Sequence, residues 1–167
     1  MTGPVLRPRR DDDLPRLVTL LGEQQPVTAY PLRWPLPFPV EEFLVRPTEE
    51  AAWVVEVDGR VVGHVSVAGP GDELAPLITP MVGTHRLAMV SVLFVGLGTV
   101  GRGLGGLLLD RAVTAIRESG RVPVLDVVPT HERAVGLYRS RGWREVGRLR
   151  PAWLPEDRPD LLVMVLD

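Results

Sequence analysis

The chain has 167 residues, which is enough to form a single domain, residues 1–167, with a buried core. Charged residues make up 24% of it, as is ordinary for a globular protein. A net charge of −2 gives no reason to expect a nucleic-acid partner, and the lack of cysteine excludes disulfides, thiolate metal sites and a cysteine nucleophile. No apolar run is long enough to span a membrane and the first ten residues lack the apolar core of a signal peptide, so we expect a cytoplasmic protein without a membrane partner.

The first fifty residues predict a strand, a helix and a stiff loop. Residues 5–9 can form a short strand, and the acidic triplet before a first-turn proline, Asp11 to Pro15, is typical of a helix start. Residues 25–47 contain six prolines, which oppose a regular helix or a central strand. We therefore expect a series of turns there, with one helical turn near residues 41–45.

The middle of the chain predicts an antiparallel hairpin and a central strand. Residues 51–57 and 60–68 have the alternation of two strands, and Asp58-Gly59 between them is a strong hairpin signal. Residues 69–85 contain three prolines and are predicted to be irregular. The nearly unbroken apolar run of residues 86–95 is expected of a central strand covered on both faces, and it contains no carboxylate.

A glycine-rich turn and an amphipathic helix follow this strand. Six glycines lie between residues 96 and 106, and apolar residues then recur at helical spacing as far as Gly120, which is placed to cap the helix end. The free N–H groups and the dipole of a helix start favour a phosphate, and glycine lets the backbone approach it closely. A turn that only allows the helix to pack tightly on its strand is the alternative.

The last third predicts a strand, a helix and two further strands. Residues 121–128 form an apolar run interrupted by Asp126, and Thr130 can cap a helix over residues 131–141. Residues 143–149 and 160–166 are predicted to be the final strands.

The glycine-rich turn matches the fingerprint of dinucleotide-binding folds. Gly101, Gly103 and Gly106 spell G-x-G-x-x-G, and Asp126 lies twenty residues further on, where a ribose-binding acid is expected. An antiparallel hairpin precedes this turn, however, where such a fold requires parallel crossovers.

The same turn resembles the acyl-CoA loop of the GNAT superfamily of N-acetyltransferases. In that loop a strand valine is followed by a proline and then by Arg/Gln-Gly-x-Gly-x-Gly/Ala before a helix. Val95 and the glycines at 101, 103 and 105 fit the pattern. Leu97 stands where the proline is usual, and Val100 stands where the Arg or Gln is usual.

A second segment resembles another GNAT signature, Asn-x-x-Ala-x-x-Leu/Phe-Tyr-x-x-x-Gly-Phe. His131 takes the place of the asparagine and Trp143 that of the phenylalanine, and the matching residues between them are Ala134, Leu137, Tyr138 and Gly142. Two linked signatures are more specific than either glycine pattern alone, and too little chain remains for the further βαβ units of a dinucleotide fold. From about residue 51 to its end, the chain is therefore similar to a GNAT enzyme.

The resemblance implies an α/β (α+β) fold with a mixed, mostly antiparallel sheet of six to seven strands flanked by about four helices. Strands 86–95 and 121–128 would splay apart and admit the pantetheine arm of acetyl-CoA, the co-substrate that the resemblance implies. The implied activity is direct transfer of the acetyl group to a primary amine of a small molecule or a peptide, with no metal. Dimers are common in the family, so a homodimer would be consistent with it.

The resemblance also implies which residues bind CoA. The glycine-rich turn would hold the diphosphate, and the end of the preceding strand would face the thioester. The implied residues are Leu93, Phe94, Val95, Val100, Gly101, Arg102, Gly103, Leu104, Gly105, Gly106, His131 and Tyr138. Because Val100 lacks the usual side-chain donor, we expect backbone amides to do most of the binding, with Arg102 either helping or only facing solvent.

Two side chains are candidates for the chemistry. The signature places Tyr138 beside the CoA sulfur, where its phenol could protonate the departing thiolate, and a packing role is the alternative. Asp126, in a Leu-Asp-Val sequence, resembles the carboxylate that can act as base in GNAT enzymes of protein N-termini, directly or through a water. A structural acid is the alternative there, and His64, His85, Glu73 or a solvent relay are reserve bases.

The acceptor site is less well defined by the sequence. The proline-rich loop lies where such enzymes bind their acceptors, so Trp34 and Phe38 are candidate walls of that site, with a packed surface loop as the alternative. A catalytically degenerate module that binds an acyl-CoA, or a partner protein, is the second functional class. The departures at Val100 and His131 favour that class slightly.

Overall fold

The computed structural model describes residues 3–167, which form a seven-stranded sheet in the order β1-β2-β3-β4-β5-β7-β6. Neighbouring strands are antiparallel except for β4 and β5. The strands are β1 Val5–Pro8, β2 Glu49–Val57, β3 Arg60–Ala68, β4 Leu87–Val95, β5 Val122–Val127, β6 Arg144–Leu149 and β7 Leu161–Val165. The α-helices are α1 Leu14–Thr28, α2 Val40–Leu44, α3 Gly71–Val82, α4 Leu104–Glu118 and α5 Glu132–Ser140.

This architecture confirms the predicted mixed, mostly antiparallel sheet and adds one helix to the expected four or so. It excludes the dinucleotide-binding reading, because a sheet with a single parallel pair cannot supply that fold's run of parallel strands. The hairpin between β2 and β3 is also as predicted, since Asp58 and Gly59 both have positive φ, at 51° and 77°.

Apolar side chains cover both faces of the sheet. Helices α4 and α5 pack on one face through residues such as Leu108, Leu109 and Val135. Helix α1 covers the other face over β2 to β4, where Leu17 and its neighbours are fully buried, and α3 covers it over β5 to β7. The core is therefore two layers separated by the sheet, and any opening in the sheet connects them.

Helix α3 corrects the prediction that residues 69–85 are irregular. Pro76 and Pro80 lie inside it and each removes one backbone hydrogen bond. The helix forms because its inner face packs against the sheet, with Ile78 fully buried. Gly83 then ends it in the left-handed conformation, at φ 87°.

We expect Ile78→Ala to lower the free energy of unfolding by about 2–5 kcal/mol, because it leaves a cavity beneath a helix that its prolines already weaken. Leu77→Ala is the matched control, since Leu77 is the next residue and 48% exposed. That variant should change the free energy by less than about 0.5 kcal/mol. Urea denaturation of both variants checks the prediction, and equal effects would contradict the placement of α3.

Two further local predictions need correction. Helix α1 continues through Pro26 to Thr28 and ends with Ala29 at φ 58°, so the turns begin later than residue 25. Helix α5 has His131 rather than Thr130 as its N-cap, without a capping hydrogen bond from its side chain. The predicted helical turn near residues 41–45 is confirmed by α2.

Candidate active site

Strands β4 and β5 separate in the middle of the sheet. They pair at only three positions, from Leu87 opposite Val122 to Met89 opposite Val124, although both strands continue further. Beyond that point β5 pairs with β7 and β4 pairs with β3. The predicted splay of these strands is therefore present, and it leaves a gap that opens toward the end of β4.

A β-bulge in β4 lies beside this gap. His64 of β3 is opposite Phe94, but Ser66 is opposite Ser91, so β4 has one extra residue here. Val92 takes φ +48°, which is unusual for a β-branched residue. The extra residue reverses which side chains face each layer, and it takes the local N–H and C=O groups out of the regular ladder.

His64 holds this bulge and is fully buried. Arg9 Nη1 donates to His64 Nε2 over 3.1 Å, so the proton of the neutral ring is on Nδ1, which donates to the carbonyl oxygen of Val92 over 2.8 Å. Arg9 is itself fixed by a two-pronged ion pair with Glu49, at 2.6 Å for each contact. Burial lowers the pKa of His64 to about 4, so the ring is neutral near pH 7. Both ring nitrogens are engaged, and His64 is therefore not a free base.

Asp126 lines the gap from β5. Its neighbours Leu125 and Val127 pack toward α4, so its own side chain projects to the opposite layer, below α1 and α2. The carboxyl is accessible to solvent although it lies deep in the molecule, as expected for a group inside a cleft. Burial raises the pKa of Asp126, and the positive charge of Arg46 offsets part of this rise.

Two tyrosines share this region with Asp126. Tyr138 of α5 is 8% exposed, and its ring centroid is 6.0 Å from that of Trp143. Burial raises the pKa of Tyr138, and the charges of Tyr30 and Asp126 raise it further. Burial also raises the pKa of Tyr30 to about 12. Both phenols are therefore protonated at neutral pH and can donate a proton or a hydrogen bond.

His131 lies at the start of α5, next to Tyr30, with 6.4 Å between the ring centroids. Burial lowers its pKa, and a hydrogen bond to the backbone of Ala29 acts in the opposite direction. Its Nε2 is buried and has no hydrogen-bond partner among residues 3–167. An unpaired buried nitrogen of this kind is available to a ligand group.

The glycine-rich turn leads from β4 into α4. Gly101 and Gly103 have φ of 88° and 75°, and α4 starts directly after Gly103 with no side chain capping its N-terminal amides. A Cβ on Gly106 would meet the guanidinium of Arg141, which is the end of a flexible side chain and could move aside, and the binding role of Gly106 stays a prediction. Leu104 is 3% exposed, so its side chain belongs to the core and its contribution to a ligand would come from the backbone.

The positive side-chain charge near the glycine-rich turn comes from helix α5, and not from residue 100, where the family signature has an Arg or Gln. The Nη2 atom of Arg133 lies 4.0 Å from the position that a Cβ on Gly101 would occupy. Arg133 is exposed and, in the part of the chain that the structure describes, neither it nor Arg102 forms an ion pair. Sequence reasoning missed Arg133, since its proximity to the turn depends on how α5 packs. Val100 is 39% exposed and offers no donor.

Most of the other predicted CoA and acceptor residues pack in the layers on either side of the sheet. Phe94 is 5% exposed and stacks on His64, while Leu93 and Val95 pack against the α4 layer. Trp34 packs against the α1 layer. Phe38 lies at the contact between two loops, because the Arg33 guanidinium sits 5.3 Å from its ring and 6.0 Å from the ring of Trp153. The binding roles of these residues stay predictions.

Residues 3–167 contain neither a membrane-spanning helix nor a cluster of metal-ligating side chains. None of the helices in this range has the length and apolar character needed to cross a membrane. Within the same range, no three His, Asp or Glu side chains gather closely enough to hold a metal ion.

Similarity to known proteins gives the family. The chain matches the acetyltransferase (GNAT) family over residues 14–143, whereas no curated protein matches it in sequence. Among solved structures it is similar to the ribosomal-protein-S18-alanine N-acetyltransferase from Escherichia coli, at 17% identity, TM-score 0.70, and coverage of 98% of this chain and 93% of that one. An acetyltransferase from Salmonella typhimurium with its cofactor acetyl-CoA gives 20% identity, TM-score 0.67, and coverage of 99% and 94%.

A third similar structure is a spermidine N-acetyltransferase chimera from Vibrio cholerae and hSSAT, at 22% identity, TM-score 0.71, and coverage of 99% and 95%. These likenesses support the fold, and the family match covers more than half of the chain. The chain belongs to the GNAT acetyltransferase family.

Proposed function

We propose that this protein transfers the acetyl group of acetyl-CoA directly to a primary amine, within a complex that holds both substrates. One observation carries the proposal: β4 and β5 pair only from Leu87 to Met89, so the sheet opens beside Asp126 and directly before the glycine-rich turn. In this proposal Asp126 is the proton acceptor and Tyr138 the proton donor at that opening, which lies just before the turn that would receive a diphosphate.

The residues around the turn fit acetyl-CoA. The uncapped amides at the start of α4 would receive the diphosphate, and Arg133 with Arg102 would supply the positive charge that Val100 lacks. The bulge at Val92 frees backbone groups at the end of β4, where an N–H would face the thioester carbonyl. The structure of the Salmonella acetyltransferase with acetyl-CoA supports this choice of co-substrate.

The reaction needs two proton transfers. An amine that is protonated at neutral pH has no free lone pair and must lose that proton before its nitrogen can attack, and Asp126 would accept it directly or through a water. The new C–N bond forms as the C–S bond breaks, and Tyr138 would donate a proton or hydrogen bond to the departing sulfur. The raised pKa of Asp126 makes it a better base, and the raised pKa of Tyr138 keeps the phenol protonated for its role.

The second candidate function is an acyl-CoA-binding module without turnover. It is favoured by the substitutions at two signature positions, Val100 and His131. Calorimetric titration with acetyl-CoA, followed by a thiol-release assay with a panel of amines, separates the two functions. Binding with amine-dependent thiol release supports the enzyme, binding without release supports the module, and no binding contradicts both.

A charge substitution sharpens the binding test. We expect Arg133→Gln to raise the Kd for CoA about tenfold, because a charge-assisted hydrogen bond to a phosphate is lost. Arg139→Gln is the matched control, since it removes the same charge from an exposed position of the same helix. Calorimetry should find that control within about twofold of the unchanged protein. If both variants bind equally well, Arg133 does not contact the diphosphate.

A further inference from the structure

Three polar side chains form a hydrogen-bonded network that runs from the end of β1 across the sheet to the bulge of β4. Arg9 is paired with Glu49 of β2 by two contacts of 2.6 Å. Arg9 Nη1 also donates to Nε2 of His64 in β3 over 3.1 Å, and His64 Nδ1 donates to the carbonyl oxygen of Val92 over 2.8 Å. This His64 network, formed by Glu49, Arg9 and His64, therefore ends on one backbone carbonyl of β4.

The His64 network is shielded from solvent. His64 is fully buried, and the side chains of Arg9 and Glu49 are only 11% and 15% exposed. Apolar residues of the same volume often stabilise a core as well as a buried ion pair does, or better. The network is therefore better explained by the geometry that it imposes at its end than by stability alone.

The peptide group between Val92 and Leu93 is the group that His64 holds. Within residues 3–167, neither Val92 nor Leu93 has a partner residue in the register with β3. The pairing of β4 with β5 ends at Met89, so neither residue has a partner on that side either. The ladder therefore does not fix the orientation of this peptide group, and the hydrogen bond from His64 does.

The direction of the Leu93 N–H follows from the planarity of this peptide group, which is trans. In a trans peptide the C=O and the N–H point in opposite directions. Because the carbonyl of Val92 points to the ring of His64 in β3, the N–H of Leu93 points away from that ring. Beyond Met89, the side of β4 that faces away from β3 borders the gap.

We propose that the His64 network orients the Leu93 N–H toward the acetyl group of the thioester, which makes His64 a positioning residue for the transfer. As the amine nitrogen bonds to the carbonyl carbon, an electron pair of the C=O bond moves onto the oxygen, and the N–H stabilises that charge until the C–S bond breaks. The inference rests on the proposed transferase function and adds residues that lie behind its site.

Arg9 contributes by fixing the tautomer of the histidine. Its donation to Nε2 leaves the ring proton on Nδ1, where it meets the carbonyl of Val92. The other tautomer would turn a lone pair of Nδ1 toward that carbonyl oxygen, and the two would repel each other. Glu49 in turn holds the guanidinium of Arg9 in place.

Replacement of His64 tests the proposal through kcat. His64→Leu keeps an apolar side chain in the core but cannot hold the carbonyl of Val92. We expect its kcat to fall about 10- to 100-fold, while its KM for acetyl-CoA changes by less than about threefold. His64→Asn should retain more activity than His64→Leu, because its amide NH₂ can replace Nδ1 as the donor. Thiol release, measured well below the unfolding temperature of each variant, gives these constants.

Ile78→Ala is the matched control for a loss of stability. Ile78 is also fully buried, but it belongs to the apolar cluster beneath α3, which is separate from the cluster that contains Val92. Its kcat per folded molecule should therefore stay within about twofold of the unchanged protein. Thermal unfolding of every variant gives the folded fraction.

A spectroscopic measurement reports on the hydrogen bond itself. Acetyl-CoA labelled with ¹³C at its carbonyl carbon is bound to each protein, and the infrared stretching frequency of that carbonyl is recorded. A hydrogen bond to the oxygen lowers this frequency, so the frequency should rise in His64→Leu and rise less in His64→Asn. It should be unchanged in Ile78→Ala.

A second variant is used if His64→Leu does not fold. Arg9→Met combined with Glu49→Leu removes the ion pair as a unit, so no buried charge is left alone. The ring of His64 is then free to take its other tautomer. We expect kcat to fall about three- to tenfold and the carbonyl frequency to rise in part.

The inference is overturned if folded His64→Leu keeps its kcat within about threefold, if Ile78→Ala shares the loss, or if the carbonyl frequency does not change. An unchanged kcat and frequency in the double variant also overturn it. The unchanged protein tests the proposed function separately. If it releases thiol and the variants match it, the positioning role alone is wrong; if it binds no CoA or releases no thiol, the transferase function fails as well.

Discussion

Asp126→Asn should lower kcat about 100-fold or more at pH 7, with a smaller change in the KM for acetyl-CoA. Asparagine keeps the size of the side chain but cannot accept the proton of an ammonium group. In the proposed mechanism, the burial that raises the pKa of Asp126 would give the pH profile of the reaction an acidic limb. The carboxyl is protonated and inactive below its pKa, so activity should increase as the pH rises through a value above the ordinary range of an aspartate.

The pH profile of thiol release distinguishes this role from a structural one. The Asn variant should lose the acidic limb and recover part of its activity at alkaline pH, where the free amine becomes abundant. Asp126→Glu should retain more activity than Asp126→Asn because it keeps a carboxylate. Tyr138→Phe should slow the reaction while leaving the acidic limb in place. A kcat within about threefold of the unchanged protein in the Asn variant would point to a solvent relay instead.

His64→Gln should lower the free energy of unfolding by about 2–4 kcal/mol at pH 7. The substitution removes a fully buried ring that joins the Val92 carbonyl to Arg9 and stacks on Phe94. Glutamine is flexible and cannot reproduce both hydrogen bonds and the stacking. The bulge of β4 should then lose its fixed geometry, which amide hydrogen exchange at Val92 and Leu93 would report.

The same histidine should make stability depend on pH. Its pKa is about 4 in the folded protein and about 6.5 in the unfolded chain, so between these values the unfolded chain binds a proton that the folded protein does not. Stability is therefore lost as the pH falls below about 6.5. Between pH 7 and pH 5 this loss amounts to about 2 kcal/mol.

Urea denaturation at several pH values between 7 and 5 measures that loss, and comparison with variants separates it from Asp126 and His131, whose pKa values also differ from their ordinary values. The loss should be smaller in His64→Gln by about the same amount. His85→Gln is the control, since His85 is exposed and should leave the slope unchanged. A slope shared by all three proteins would mean that another group, such as His131, is responsible.

The parts of the fold with a strong local pattern could be predicted from the sequence. Asp58-Gly59 specifies its hairpin because both residues tolerate positive φ, and the apolar spacing that begins at Leu104 predicts the buried face of α4. The glycines at 101 and 103 indicate the turn because their backbone angles are unfavourable for other residues. In each case the signal and the structure lie within a few residues of one another.

The parts that depend on distant contacts could not be predicted. Helix α3 contains two prolines that locally oppose it, and the burial of Ile78 against the sheet decides in its favour. Tyr30 lies far from His131 in sequence, and only the packing of the α1–α2 segment brings the two ring centroids to 6.4 Å from each other. The sequence did indicate this segment as the acceptor side, but it directed attention to Trp34 and Phe38 because they are aromatic.

The brief pairing of β4 with β5 has a mechanical consequence. Three register positions are the only ladder contact between the β1–β4 half of the sheet and the β5–β7 half, within residues 3–167. The pantetheine arm of acetyl-CoA contains amide groups. When bound in the gap, it would form hydrogen bonds with β4 and β5 as a strand does, and so link the two halves of the sheet. Binding of acetyl-CoA should therefore stabilise the entire domain rather than one loop. Without it, local unfolding should begin where β4 and β5 separate.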